Sequence, residues 1–228
     1  MRKEGSLRLT FLLFIVSMLA VRSGAATKVH VIAFGKWMSV QWLPDSVGKP
    51  VSLKVRALVV DGRVREYAIG TPHEVTERLF VVQRVFRVND SLPEDATLRW
   101  QWQRGGWLLV DRLTGRVSPV SLPGFDNYYS AASWYRDYVS YCGVSDDGKK
   151  ISATVVQLNR RKPVIKRLLT GVTLDEAQPD SACPAPVWQR GPVRVSFETS
   201  SGGKQTFSIR GFVADVVANA EGDEEADD

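Results

Sequence analysis

The side chains that could do chemistry are few. Histidine occurs twice, as His30 and His73. A Ser-His-Asp hydrolase needs an imidazole oriented by a carboxylate beside an activated serine. No Gly-x-Ser-x-Gly elbow accompanies either histidine, so both are read as structural. The glycine loops that cradle phosphates or dinucleotides do not occur in the sequence. Cysteine also occurs twice, as Cys142 and Cys183. Two thiols are too few for a zinc centre without histidine partners, and a redox pair favours Cys-x-x-Cys spacing. Carboxylates remain. A glycosidase needs two acids facing across a cleft, and Asp111, Asp126, Asp137, Asp146 and Asp147 qualify by type. Asp146-Asp147-Gly148 begins like a calcium loop, but the ligand pattern stops at the glycine, and a hairpin turn explains it better. The sequence therefore assigns no catalytic residue, no metal ligand and no cofactor.

Two stretches suit binding instead. Tyr128, Tyr129, Trp134, Tyr135, Tyr138 and Tyr141 crowd one segment around Arg136 and Asp137. Flat rings beside a charged pair can stack on sugar rings or hold a peptide. The competing reading puts those rings in the core, with Arg136 and Asp137 paired at its edge. The second stretch is basic. Asn159-Arg160-Arg161-Lys162, followed by Lys166-Arg167, suits an anionic glycan or lipid headgroups, or is simply a solvated turn.

The elements that must position these residues read as antiparallel β-structure with little helix. Val51 to Ala57 sets apolar residues against Lys54 and Arg56. Leu98, Trp100 and Trp102 alternate with Arg99, Gln101 and Gln103. Val193 to Phe197 and Gln205 to Arg210 alternate likewise. One polar face per strand predicts antiparallel sheet, because parallel sheets are covered on both faces. Asp61-Gly62, Asp147-Gly148 and Ser201-Gly202-Gly203 mark hairpin turns, and Thr173 to Glu176 suits one short helical turn. No linker divides the body, which reads as one β-rich domain over residues 27–217.

The ends differ from the body. Arg2, Lys3 and Arg8 precede an apolar run from Leu9 to Val21, which closes on Ser23-Gly24-Ala25-Ala26. That is the secretory signal pattern, so residues 1–26 read as a signal peptide with the mature start at Ala26 or Thr27. The run is short of the roughly 20 apolar residues that span a bilayer, and no later run reaches that length. The expected location is periplasmic or secreted, where two cysteines usually oxidise, so a Cys142–Cys183 disulfide is expected. Residues 218–228 hold six acids and no large apolar residue, and read as a disordered acidic tail. The precursor carries +5. Without the leader and the tail acids the body stands near +8, which suits a cell-surface polyanion or an envelope protein better than nucleic acid.

Two resemblances add to this reading. Trp107 to Val117, and Asp137 to Ser152 with its Asp-Gly-Lys-Lys turn, resemble hairpins of β-propeller blades. The segments Leu58 to Gly70, Leu108 to Gly124 and Val155 to Gly171 start roughly 50 residues apart, near a propeller period. A small propeller or a sandwich or barrel is implied. Val31 to Trp37, Ser130 to Asp137 and Cys183 to Trp188 resemble a group of uncharacterised exported proteins from acidobacteria, which implies export and a bacterial source. The functional expectation is a non-catalytic binding protein of the envelope. The alternative is a carbohydrate hydrolase using paired carboxylates.

Overall fold

The computed structural model describes residues 29–43, 49–94, 96–145, 150–169, 183–198 and 203–210, with the backbone of 213–217. The signal-like segment, the acidic tail, Asp146 to Gly148 and the Thr173 to Glu176 turn lie outside the described residues. The protein is all-β, with fifteen strands in three mostly antiparallel sheets and no helix among the described residues.

Sheet A holds β1 (Ile32–Phe34), β2 (Met38–Trp42), β3 (Val51–Val60), β4 (Arg63–Glu74), β5 (Leu79–Asn89), β6 (Trp100–Asp111) and β7 (Val117–Pro119). Its pairings run β1-β3-β2-β6-β5-β4, with β7 on β6, and β3 also pairs β4. The path thus returns on itself, but β2 meets β6 at one parallel pair, Trp42 and Trp102. The sheet curls back without a laddered closing seam. The β3–β4 hairpin turns at Asp61 and Gly62, with φ of 52° and 76°. Two positive φ values match the right-handed strand twist, and the Asp-Gly pair takes them at low cost. Leu58, Ala68, Phe80, Val82, Leu108 and Val110 form the core of this sheet.

Sheet B is a meander of β8 (Ser133–Tyr135), β9 (Tyr138–Val144), β10 (Ile151–Gln157) and β11 (Ile165–Leu169). Sheet C repeats the pattern with β12 (Val187–Arg190), β13 (Val193–Glu198), β14 (Lys204–Arg210) and β15 (Val213–Val217). One face of sheet B, with Cys142, Ala153, Val155 and Ile165, packs against Val195, Phe197, Phe207 and Ile209 of sheet C. The other face sets Val139, Tyr141 and Val156 against Leu122, Phe125, Ala132 and Trp134. Both faces being covered, β9 is buried without interruption from Val139 to Gly143, and β10 from Ala153 to Val156. This departs from the expected single polar face and has the same cause as the apolar runs of covered parallel strands.

The Cys142–Cys183 disulfide joins β9 to the segment before β12, with 6.2 Å between the Cα atoms. Both sulfurs lie in the core shared by sheets B and C. The two meanders have the strand count and order of propeller blades, but the described sheets close into neither a propeller ring nor a barrel. The Trp107 to Val117 segment, expected in a blade, instead forms the β6–β7 hairpin of the seven-stranded sheet A.

Leu98 lies before β6 and is 66% exposed, and Trp100 is 53% exposed. Alternation separates two faces of a strand. It does not say which face meets water when the wet face also carries aromatics.

Candidate functional site

The aromatic and basic stretches converge at one end of sheet B. In the β9–β10 ladder Tyr138 stands opposite Gln157, so the β8–β9 turn and the turn leading to β11 lie side by side. The Gln157 side-chain N–H donates to Asp137 Oδ2 at 2.8 Å, and the Leu158 N–H donates to the Asp137 carbonyl at 2.8 Å. Asp137 is thus bound across the strands to Gln157; the expected pairing with Arg136 is replaced. Burial raises the Tyr138 phenol above its ordinary value; the Asp137 carboxylate adds to the rise and Arg160 opposes it. Arg136 and Asn159, one in each turn, hold left-handed backbone with φ of 53° and 67°. Asparagine tolerates that region readily, whereas arginine there is strained. Between the turn after β10 and β6–β7 opens a cavity of about 370 Å³. Val156, Gln157, Asn159, Arg160 and Arg161 line it from β10 and the turn after it, and Leu109 and Pro119 from β6 and β7. Lys162 is exposed in the same turn and does not line the cavity.

The structure parts the expected aromatic group. Tyr141 is fully buried and Trp134 packs in the same cluster. Trp134 is stacked by His73 at 5.8 Å and touched edge-on by Trp107 at 5.2 Å. His73 Nε2 lies 2.8 Å from the Arg136 carbonyl. These contacts join sheets A and B, so Trp134 is a packing residue. Tyr135 stacks on Trp188 of sheet C at 5.4 Å, with the Arg136 guanidinium 5.4 Å from its ring centre. The Trp188 indole N–H donates to the Ser133 carbonyl at 3.1 Å.

Tyr128 and Tyr129 go elsewhere. Asp126 Oδ1 accepts their backbone N–H groups at 2.7 and 2.9 Å and fixes the loop. The two rings meet edge to face at 4.6 Å, and Tyr128 meets Trp42 at 6.1 Å. The row continues across sheet A. The Arg104 guanidinium sits 5.1 Å from the Trp42 ring centre. Trp102 is the register partner of Trp42, and the Arg87 guanidinium lies 5.5 Å from Trp102 and 5.6 Å from Trp100. Tyr67 touches Trp102 edge-on at 5.2 Å. Rings and guanidinium groups thus run from the exposed Trp100 through Arg87 and Trp102 to Arg104 and the buried Trp42, and on through Tyr128 to Tyr129. Sequence reasoning missed Trp42, Arg87, Trp100 and Arg104. The signal was the Trp-x-Trp-x-Arg spacing at Trp100, Trp102 and Arg104, which sets all three on one face of a strand.

The candidate carboxylates among the described residues, Asp111, Asp126 and Asp137, are held in or beside turns. Asp126 caps its loop, and Asp137 is bound to Gln157. Arg78 donates Nε–H to Asp111 Oδ1 at 2.7 Å and a second N–H to Oδ2. That guanidinium, helped by the Leu113 N–H and against a cost of burial, holds the Asp111 carboxyl far below the usual range. A group so acidic is a poor proton donor near neutral pH. Its folded state binds the proton more weakly than its unfolded state. The stability it contributes is therefore complete above about pH 4 and is lost as pH falls through the folded value. In thermal melts, the gap between wild type and Asp111→Asn is expected to be widest at neutral pH and to narrow on acidification below about pH 4. A gap independent of pH would refute the charge-pair account.

His30 Nδ1 lies 2.8 Å from Asp61 Oδ2, and no serine hydroxyl contact to either histidine occurs among the described residues. No three His, Cys, Asp or Glu side chains gather in a metal-binding group among the described residues. Comparison with known proteins found no matching family model, no matching curated protein and no matching solved structure.

Proposed function

We propose that the chain is an exported, non-catalytic binding protein of the bacterial envelope that holds an anionic glycan on the ring-and-guanidinium face of sheet A. The carrying observation is the exposed end of the row, where the Arg87 guanidinium lies against Trp100 and Trp102, while Trp42 is buried and supports the row from within. Sugar rings present apolar C–H faces that pack on flat aromatics, and their acidic groups suit guanidinium donors. The positive body charge favours encounter with a polyanion. Export is supported by the leader-like first 26 residues and by the disulfide.

The test is binding of polygalacturonate by fluorescence titration, with neutral dextran as the control polymer. Polygalacturonate is expected to bind saturably, and more weakly as salt screens the arginines. Trp100→Ala and Arg87→Ala are each expected to weaken binding about fivefold, since one exposed contact of this kind contributes roughly 1 kcal/mol. Equal binding of dextran, or unchanged affinity in both variants, would refute the assignment.

A further inference from the structure

Sheet A carries a second ring-and-cation contact on its reverse side. Tyr67 meets Trp102 on the ring face, so its neighbour Ala68 points the other way, and Arg56 is the register partner of Ala68. We infer that this reverse face docks a protein partner through an aspartate or glutamate side chain, which pairs with Arg56 beside Trp37.

Three observations set that chemistry. First, the Arg56 guanidinium carbon lies 4.0 Å from the Phe34 ring centre and 4.3 Å from that of Trp37. Two rings this close cover the faces of the planar cation and leave its edges for hydrogen bonding. Its Nε–H is buried without an acceptor, so the free edge is the one carrying Nη1 and Nη2. Second, Arg56 forms no ion pair among the described residues. Glu66, on the neighbouring strand β4, is taken by Arg84 at 2.9 Å. The one hydrogen bond of Arg56 is long, from Nη2 to the Gly70 carbonyl at 3.5 Å. Burial alone lowers its pKa, with no acid acting against it. A half-buried cation without a counter-ion lacks the pairing that usually accompanies burial. Third, the edge beside Gly70 is open. Gly70 is exposed, and nothing lies within 4 Å of where a side chain on it would begin. Trp37 is 49% exposed, and Lys54, two residues from Arg56 on the same face, is exposed as well.

A carboxylate is planar and accepts two parallel N–H groups from a guanidinium edge, which suits a cation already covered on both faces. Arginine and tryptophan are the side chains that most often dominate protein interfaces, which favours a protein over a polysaccharide here. Phe34 fixes the clamp from within, its ring 6.0 Å from Phe80 of the core.

Titration with deca-glutamate tests the face, with deca-glutamine as the uncharged control. The readouts are affinity and the Arg56 Nε–H and Trp37 indole signals in nitrogen-15 spectra. Deca-glutamate is expected to bind saturably and shift both signals, with deca-glutamine at least about tenfold weaker for want of the charge-assisted contact. Arg56→Lys keeps the charge but not the planar fork, and is expected to weaken deca-glutamate about tenfold with little change in melting temperature. Trp100→Ala is expected to leave that affinity unchanged, which separates this face from the glycan-binding one. Absence of saturable binding, absence of a shift at Arg56, or equal affinity in Arg56→Lys would overturn the proposal. So would polygalacturonate shifting the Arg56 and Trp37 signals while deca-glutamate does not, which would assign the face to a glycan.

Discussion

Tyr141→Ala is expected to lower the unfolding free energy by about 3–5 kcal/mol, the range for truncating a large buried ring. The side chain has no exposed surface. Its ring meets Phe125 edge-on at 5.2 Å, and its hydroxyl donates to the Pro123 carbonyl at 2.9 Å. Burial drives the phenol well above its ordinary value, so it stays neutral throughout the physiological range. The residue therefore seats the loop over residues 120–132 on β9 by both packing and a hydrogen bond. Tyr141→Phe keeps the packing and should cost only about 1 kcal/mol. Urea denaturation of both variants separates the two contributions. The same loop carries Tyr128 and Tyr129, so Tyr141→Ala should also weaken the ring face. A loss under about 1 kcal/mol for the alanine variant would mean that the loop is not seated this way.

The double variant Cys142→Ala, Cys183→Ala is expected to lose about 2–5 kcal/mol. The bridge closes a loop of sequence separation 41 and restricts the unfolded chain accordingly. Alanine suits the test because both positions are buried, 2% and 1% exposed, and serine would bury an extra hydroxyl. Thermal melts of the oxidised protein, the reduced protein and the variant should place the last two together and well below the first. Coincidence of all three melts would show that the bridge does not hold sheet B to sheet C.

Much of the fold was legible because the deciding interactions are local. Asp61-Gly62 supplies the backbone that a two-residue turn requires, and the alternation over Val193 to Phe197 places Val195 and Phe197 in the core. The two cysteines left one pairing to consider. The site was less legible because it depends on register and on which face is wet. Nothing in the spacing between Asp137 and Gln157 announces their hydrogen bond; it exists because β9 and β10 pair with Tyr138 opposite Gln157. Trp100 and Trp102 were legible as one face of a strand, but alternation does not say whether that face meets water. Arg87, which lies over both, comes from a strand whose partner only the ladder reveals. Tyr128, Tyr129 and Trp134 are near in sequence, yet Asp126 turns the first two toward Trp42 while β8 carries the third inward.

The order of the ladders also bears on how quickly the chain can reach this state. Apart from β1 with β3 and the single link of β2 to β6, every described ladder joins strands that follow one another in the chain. All-β proteins are slow folders mainly because distant segments must meet before any contact repays the lost entropy. Here each hairpin can zip from its own turn. The one long excursion, which brings Trp42 to Trp102, can come last, once both strands are already ordered by their neighbours.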